Sequence, residues 1–310
     1  MTACLICLEI VRDSTAYHAS CSEALFGTNV LPTLDYELGE LYAVAAQMAG
    51  KMSISGIQEK VSLRLSPDKS RLEVAVTGGR YILKPEPARY SDLTLNEHIS
   101  MRLASLVGIE TPPFGLIHLK DGAVSYIIKR FDRLDDGSKL QVEDFCQLAE
   151  KPPRDKYEGS AELCVRALRR FATEPVLELS KLYRLLLFGW WIANGDMHLK
   201  NFSLLTTPDA TRRLSPAYDL VCTRLAIAED DSLALPMGGK KKGLTRRKWL
   251  EFGDYCRLPK RAVEGMIAAQ VNALDPSIAI IDRSLLPEKK KGEYGKIIRE
   301  HTALLAGQSS

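Results

Sequence analysis

The sequence predicts an α+β chain of two lobes, a small N-terminal lobe built mainly on antiparallel sheet and a larger, helical C-terminal lobe. Three observations carry this. Strand-like alternation is concentrated between Val61 and Lys129, and helical patterns take over beyond Leu134, with the shift near residue 132. The most apolar stretch, Leu177 to Ile192, then runs into a polar cluster, Asn194-Gly195-Asp196-Met197-His198-Leu199-Lys200-Asn201-Phe202. Three parts follow: a Cys/His-containing segment over residues 1–30, a first lobe over 31–131 and a second over 132–310.

A chain of 310 residues, 45% hydrophobic, can bury a sizeable core. A net charge of +3 with 26% charged residues gives no strong pull towards nucleic acid or membrane. The basic runs Lys240-Lys241-Lys242, Arg246-Arg247-Lys248 and Lys289-Lys290-Lys291 read as solvated faces, the first offset by Glu229-Asp230-Asp231. Seven cysteines do not make a disulfide scaffold at this length. The opening lacks the basic flank of a signal peptide, and Arg184 and Asn194 bracket an apolar run too short to span a bilayer. A soluble, cytoplasmic protein is expected.

Along the chain, Cys4-Leu5-Ile6-Cys7 is followed by His18-Ala19-Ser20-Cys21 at a helix start. Cys4, Cys7, His18 and Cys21 would suit a structural, tetrahedral zinc, with all four positions filled by protein. The other reading is four small residues packed in a short subdomain, where free cysteine is common. Leu31 to Ala49 carries Leu34, Leu38, Leu41, Tyr42 and Ala45 at helical spacing and breaks at Gly50. Ser53-Ile54-Ser55-Gly56 then makes a small-residue loop whose amides can approach phosphate oxygens, or simply a turn. Strands are expected over Val61–Leu65, Leu72–Val76 and Arg80–Lys84, the last two joined by Thr77-Gly78-Gly79. Lys84 stands on a third strand after a glycine-containing loop, the position of a phosphate-binding lysine, or is a solvated lysine blunting a sheet edge. Leu93 to Val107 reads as a helix with Leu95, Ile99, Leu103 and Leu106 inward and Gly108 closing it. Glu97, off that stripe, could reach Lys84 or be one more solvated charge. Phe114–Leu119 and Ala123–Lys129 form a hairpin around Asp121-Gly122.

The cluster after Ile192 places a carboxylate, an imidazole, an ammonium and an amide against an apolar wall, with Gly195 available for the positive φ that ends a helix. Phosphoryl transfer needs a carboxylate to take the proton of the attacking hydroxyl, and an amide oxygen with a second carboxylate to hold magnesium. Asp196 and Asn201 have the separation of the kinase catalytic loop, and Asp219 in Ala217-Tyr218-Asp219 fits the metal-binding aspartate. A polar loop capping a core helix would use the same residue types.

The ordered set Ser53-Ile54-Ser55-Gly56-Ile57-Gln58-Glu59-Lys60, Ile82-Leu83-Lys84-Pro85, Asn96-Glu97-His98, Arg130-Phe131-Asp132-Arg133, residues 194–202 and Ala217-Tyr218-Asp219 resembles the HipA family of bacterial toxin kinases. The match covers Met52 to at least Leu220, with the family's Asp-x-His-x-x-Asn loop present as Asp196, His198 and Asn201.

The resemblance implies a two-lobed protein-kinase-like fold and ATP-dependent phosphorylation of serine or threonine on a protein. It makes Asp196 the catalytic base, Asn201 and Asp219 the Mg2+ ligands and Lys84 the phosphate-binding lysine, supported by Glu97. Ser55, Gly56, Ile57, Gln58, Glu59 and Lys60 would cover the phosphates. Lys129, Arg130 and Phe131 would form the adenine hinge, and His198 and Tyr218 would complete the nucleotide site. Ser53 and Ser55 are the candidate autophosphorylation sites. Because the phosphate loop begins by Ser53, the short HipT-like branch is the expected relative, in an operon with a small HipS-like protein and a DNA-binding HipB-like antitoxin. DNA contact would then be indirect, no membrane is expected, and the implied substrate is an aminoacyl-tRNA synthetase. A small-molecule or lipid kinase, and a catalytically silent partner-binding fold, are the alternatives.

Overall fold

The computed structural model describes residues 2–11, 16–48 and 58–307, and the chain divides into two compact units. The first comprises Met1–Ile99, Pro112–Gly137 and Arg283–Leu286, and the second the remainder.

The first unit opens with a short antiparallel pair, β1 (Thr2–Ala3) and β2 (Ile10–Val11), followed by α1 (Ala19–Phe26) and α2 (Leu38–Met48). Its centre is a five-stranded antiparallel sheet of β3 (Val61–Leu65), β4 (Leu72–Val74), β5 (Tyr81–Lys84), β6 (Phe114–His118) and β7 (Val124–Lys129). The order is β4-β3-β5-β7-β6, which makes β5 the middle strand. Helix α3 (Leu93–Leu106) begins in this unit. Val61, Leu63 and Leu83, which alternate along their strands, are fully buried, whereas on β7 the neighbours Tyr126 and Ile127 are both buried, so that strand is covered on both faces.

Three details differ from the sequence reading. Helix α2 starts at Leu38, and Leu34 is buried outside it. The hairpin β1–β2 has strands too short to show a period. On α3, Leu106 is 42% exposed, while Asn96, Glu97, His98 and Ser100 are buried. Ile99 and Leu103 are buried as expected, so α3 buries polar residues beside its apolar stripe, and an apolar-periodicity argument detects only the stripe.

The second unit is mainly helical: α4 (Phe145–Leu148), α5 (Ala161–Phe171), α6 (Pro175–Trp191), α7 (Arg246–Tyr255), α8 (Lys260–Asn272), α9 (Leu274–Arg283, whose last residue falls in the first unit) and α10 (Glu288–Ala306). Strands do not end near residue 134, however. β8 (Gln141–Asp144), β9 (Ser203–Thr206) and β10 (Arg212–Leu214) form an antiparallel sheet ordered β10-β9-β8. With three or four residues each, these strands offer too little alternation to register.

Helix α6 is the hub of this unit, buried along almost its whole length. Its Tyr183 stacks on Phe252 of α7 and donates its hydroxyl to the Trp249 carbonyl at 3.0 Å. Trp190 stacks on His301 of α10 with ring centres 4.5 Å apart, and the Trp191 indole N–H donates to Thr302 Oγ1 at 2.8 Å. Each large ring thus meets another ring or has its polar atom paired, the arrangement that makes buried aromatics stabilising. Among the described residues no helix is long and apolar enough to cross a membrane.

Candidate active site

In the first unit Lys84 closes the central strand and is 4% exposed, which rules out the solvated-edge reading. Its ammonium meets Glu97 Oε1 at 2.6 Å and lies 5.6 Å from the centre of the Tyr126 ring. Two side chains buried in this way can remain charged only as a pair. The start of α3 is fixed from the strand side, because the Glu86 carboxylate accepts the N–H groups of Leu93 and Thr94 at 3.2 and 3.1 Å and the Thr94 hydroxyl at 2.6 Å. Lys84 and the helix cap are two residues apart, so one short segment sets both ends of the ion pair.

In the second unit α6 ends at Trp191 with Ile192 as its C-cap, and the chain turns at Ala193, whose φ is +54°. The positive φ expected at Gly195 therefore falls two residues earlier. Gly195 has a different reason to be glycine: a Cβ there would lie 2.3 Å from Asp230 Oδ2 and 2.5 Å from the Asp231 carbonyl. Thr223 fastens the turn, its hydroxyl accepting the Gly195 N–H at 2.9 Å and donating to the Ala193 carbonyl at 3.1 Å. The Thr223 backbone N–H donates to the same carbonyl, also at 3.1 Å.

The loop is then tied to itself. The His198 N–H donates to the Asp196 carbonyl at 2.9 Å and to Asn201 Oδ1 at 3.0 Å, and the Asn201 N–H returns to the His198 carbonyl at 2.9 Å. Asp196 is half-buried and accepts the Tyr157 hydroxyl, while the Tyr157 ring meets the His198 ring edge to face at 5.0 Å. Burial pushes the His198 imidazole below its ordinary pKa; Lys156 reinforces this, and Asp196 and Asp219 act against it. Burial, then the bond to Asp196, raises the Tyr157 phenol far above its usual range, so its O–H stays a donor.

Asp219 is half-buried with φ +55°, a left-handed conformation that Asp tolerates better than most residues. Beside it, Tyr218 donates its hydroxyl to the Lys200 carbonyl at 3.0 Å, which leaves Ser203 as donor in the 2.6 Å Ser203–Tyr218 contact. The Lys200 ammonium pairs with Asp144 Oδ2 at 2.5 Å. Asn201 and Asp219 together offer hard oxygen donors. The amide oxygen accepts one N–H and keeps a second lone pair, and the carboxylate is only half-buried, so the set fits a magnesium ion.

Sequence reasoning missed Tyr157, Thr223 and Glu86. Tyr157 and Thr223 act through hydroxyls 39 and 28 positions from their partners, which no local spacing signals, and Glu86 reaches across a loop to cap a helix seven residues on. Of the loop expected over the phosphates, Ser53, Ile54, Ser55, Gly56 and Ile57 lie outside the described residues. Gln58 Nε2 donates to the Pro85 carbonyl at 3.2 Å, Glu59 is exposed and Lys60 half-buried. At the expected hinge the N–H groups of Lys129 and Arg130 already donate to the carbonyls of Pro113 and Arg80, both at 2.8 Å. The Arg130 guanidinium forks onto Asp132 at 2.9 and 2.8 Å, and the intervening residue Phe131 is half-buried. Cys4, Cys7, His18 and Cys21 converge, with one ligand atom from each inside a 4.8 Å cluster.

Known proteins supply a frame for this geometry. Y4mE of Sinorhizobium fredii, a kinase by assignment, is 34% identical over 188 residues, 58% of this chain and 44% of its own length. The chain spans about half the length of the curated Sinorhizobium relatives it matches, 44% and 50%. A Haemophilus influenzae protein, also a kinase by assignment, is 25% identical over 339 residues and 98% of both chains. The fold is kinase-like. It matches HipA of Shewanella oneidensis, solved with HipB and operator DNA, at a TM-score of 0.69, with 21% identity over 83% of this chain and 66% of that one. It also matches the Helicobacter pylori proinflammatory kinase CtkA at 0.59, with 15% identity over 84% and 92%. The model of the HipA-like C-terminal domain aligns with residues 52–278, and the chain belongs to that family.

Proposed function

We propose that this chain is an ATP-dependent serine/threonine protein kinase acting as the toxin of a toxin–antitoxin system. The observation that carries the reading is the buried Lys84–Glu97 pair, formed by a central-strand lysine and a helix glutamate as in protein kinases. A non-catalytic fold gains little from it, since apolar residues of similar volume are often at least as stable in such a position.

In this reading Lys84, held in direction by Glu97, pairs with the phosphates of ATP. Asp196 receives the proton of the acceptor hydroxyl as that oxygen bonds to the γ-phosphorus, and the bond to the ADP oxygen breaks. Tyr157 and the self-bonded 196–201 loop fix the carboxylate's orientation. Magnesium, held by Asn201 and Asp219, would neutralise charge on the phosphates. The N–H groups of Lys129 and Arg130 are engaged, so adenine recognition at 129–131 would fall to backbone carbonyls and Phe131. Next to Tyr157 a cleft of about 440 Å³ lined by Ser160, Leu163, Arg166 and Lys241 offers room for the acceptor segment. The lobe boundary proposed is residue 131/132.

The toxin role rests on family membership and on the toxin–antitoxin setting of Shewanella HipA. It extends to an aminoacyl-tRNA synthetase as substrate, a HipB-like and a small HipS-like partner, and autophosphorylation at Ser53 or Ser55. Phosphate there would add about −1.5 to −2 charge beside the nucleotide and switch activity off.

Intact mass of wild type and Asp196→Ala after incubation with Mg-ATP is the test. A gain of phosphate only in wild type, mapped to Ser53 or Ser55, with growth arrest only by wild type, is the expected result. No phosphate on the protein or on any protein in a cell extract, with radiolabel appearing only in small molecules, would overturn it.

A further inference from the structure

We propose that Cys4, Cys7, His18 and Cys21 bind one zinc ion, and that the metal loop so formed positions α3, the helix that carries Glu97. The donor atoms are already close to a coordination sphere. In a tetrahedral site an S–N ligand edge is about 3.6 Å, from Zn–S and Zn–N bonds of about 2.3 and 2.05 Å. Cys7 Sγ and Cys21 Sγ stand 3.3 and 3.8 Å from His18 Nδ1, on either side of that length. Cys4 Sγ completes a cluster whose four atoms all lie within 4.8 Å of one another.

The histidine is in the right state. Its Nε2 lies 3.2 Å from the Ile10 carbonyl, which can only accept, so Nε2 carries the proton and Nδ1 turns its lone pair towards the thiols. This is the outer-shell bond that metal-binding histidines use. The backbone is shaped to match. Cys4 and Cys7 bracket a tight turn closed by Leu8 N–H to the Cys4 carbonyl at 2.8 Å, and Leu8 has φ +64°. His18 caps α1, and Cys21 follows in its first turn. Three sulfurs and one imidazole with no further position select zinc over the hard cations.

The turn between the first two cysteines is also the surface that touches the rest of the unit. The Leu5 carbonyl accepts the Leu116 N–H of β6 at 2.9 Å. Ile6 lies flat on that strand, where a Cβ at Gly115 would come within 2.7 Å of Ile6 Cγ1. The Ile6 carbonyl sits 3.0 Å from His98 Nε2, so His98 donates to it. His98 is the neighbour of Glu97, whose carboxylate meets Lys84. A metal gripping Cys4 and Cys7 therefore holds a carbonyl that, with the Glu86 carboxylate, orients this turn of α3. The positional half of the proposal rests on the kinase reading only for its consequence; the metal half does not depend on it.

The purified protein should contain about one zinc per chain by atomic emission. Cys7→Ser should lose at least four-fifths of it, whereas His18→Cys, which keeps four ligands, and Cys146→Ser, a buried cysteine elsewhere, should retain it. Chelating zinc from wild type should raise amide exchange over residues 93–99 at least threefold while leaving α10 unchanged. Wild type with less than a tenth of an equivalent of zinc, iron in its place, or a disulfide among these cysteines would overturn the site, whatever the phosphotransfer assay shows. Metal removal with unaltered exchange over residues 93–99 would overturn the positioning role.

Discussion

In the first unit the charged side chains of the candidate site meet each other: Lys84 and Glu97 are both buried and pair at 2.6 Å, with Tyr126 under the ammonium. In the second unit the acidic side chains are half-buried, and backbone bonds do the holding, through Asn201, Thr223 and Tyr218 onto loop amides and carbonyls. A buried ion pair fixes a charge in one place and makes stability depend on it. A loop anchored by its own backbone keeps its carboxylates available, so the chemistry can be removed with little effect on the fold. Stability and function should therefore separate in opposite ways at the two places.

The largest effect expected is on activity alone. Asp196→Asn should lower phosphotransfer by about 10²–10⁴-fold, the range for a lost general base, with unfolding free energy unchanged within about 0.5 kcal/mol. Initial rates and urea unfolding on the same preparation check this. A large loss of stability would mean that the carboxylate is structural, and the contrast between the units would fail.

Lys84→Met should do both kinds of damage. It leaves Glu97 buried without its counter-charge, which costs about 3–5 kcal/mol. Adding Glu97→Leu should recover most of that stability while activity stays lost. The double-mutant cycle thus distinguishes a pair that merely supports the sheet from one kept for nucleotide binding. Loss of stability in the single variant without recovery in the double would assign the pair a packing role.

What was legible in the sequence follows the same division. The strand β3 could be read from its alternating Val61, Leu63 and Leu65, the helix α3 from its apolar stripe with Ile99 and Leu103, and α6 from a largely apolar run. The 196–201 loop could be read as a unit because its polar residues stand at short spacing against an apolar wall, and the structure ties them to one another by local hydrogen bonds. The buried polar residues of α3 could not be read, since Glu97, His98 and Ser100 pair with Lys84, the Ile6 carbonyl and Tyr294 on other elements. The Cys/His spacing was legible as a motif, but the contact of its turn with α3 through His98 and Ile6 was not, because those residues lie ninety-two positions apart. The sheet β8–β9–β10 escaped for want of length, although β9 directly follows the 196–201 loop.

Thr223→Val tests the backbone-held side. It removes a buried hydroxyl that accepts from Gly195 and donates to Ala193, leaving the Gly195 N–H unpaired, at a cost of about 1–3 kcal/mol. Since these bonds set the entry to the 196–201 loop, kcat should fall with little change in KM for ATP. Thr223→Ser, which keeps the hydroxyl, should restore both readouts. Failure of serine to rescue would mean that the methyl group's packing, not the clamp, governs the turn.

The smallest effect is on pH dependence. Burial holds His198 and His301 below the ordinary histidine pKa, with Arg224 reinforcing it at His301 and the Trp191 carbonyl and Glu300 opposing it. As pH falls through about 6.5, the unfolded chain takes up protons that the folded chain refuses. Their contribution to stability is thus intact above that pH, is lost below it at no more than about 1.4 kcal/mol per unit for each group, and levels off once the folded imidazoles protonate. His301→Phe should flatten part of this slope between pH 7 and 5 in urea unfolding. Asp196→Asn should steepen it, because it removes a carboxylate that favours the His198 imidazolium and so extends the window in which only the unfolded chain is protonated. An Asp196→Asn slope equal to wild type would place that carboxylate too far from the imidazole to act on it, and the second unit would then hold its two charged groups as independently as the first unit holds its pair together.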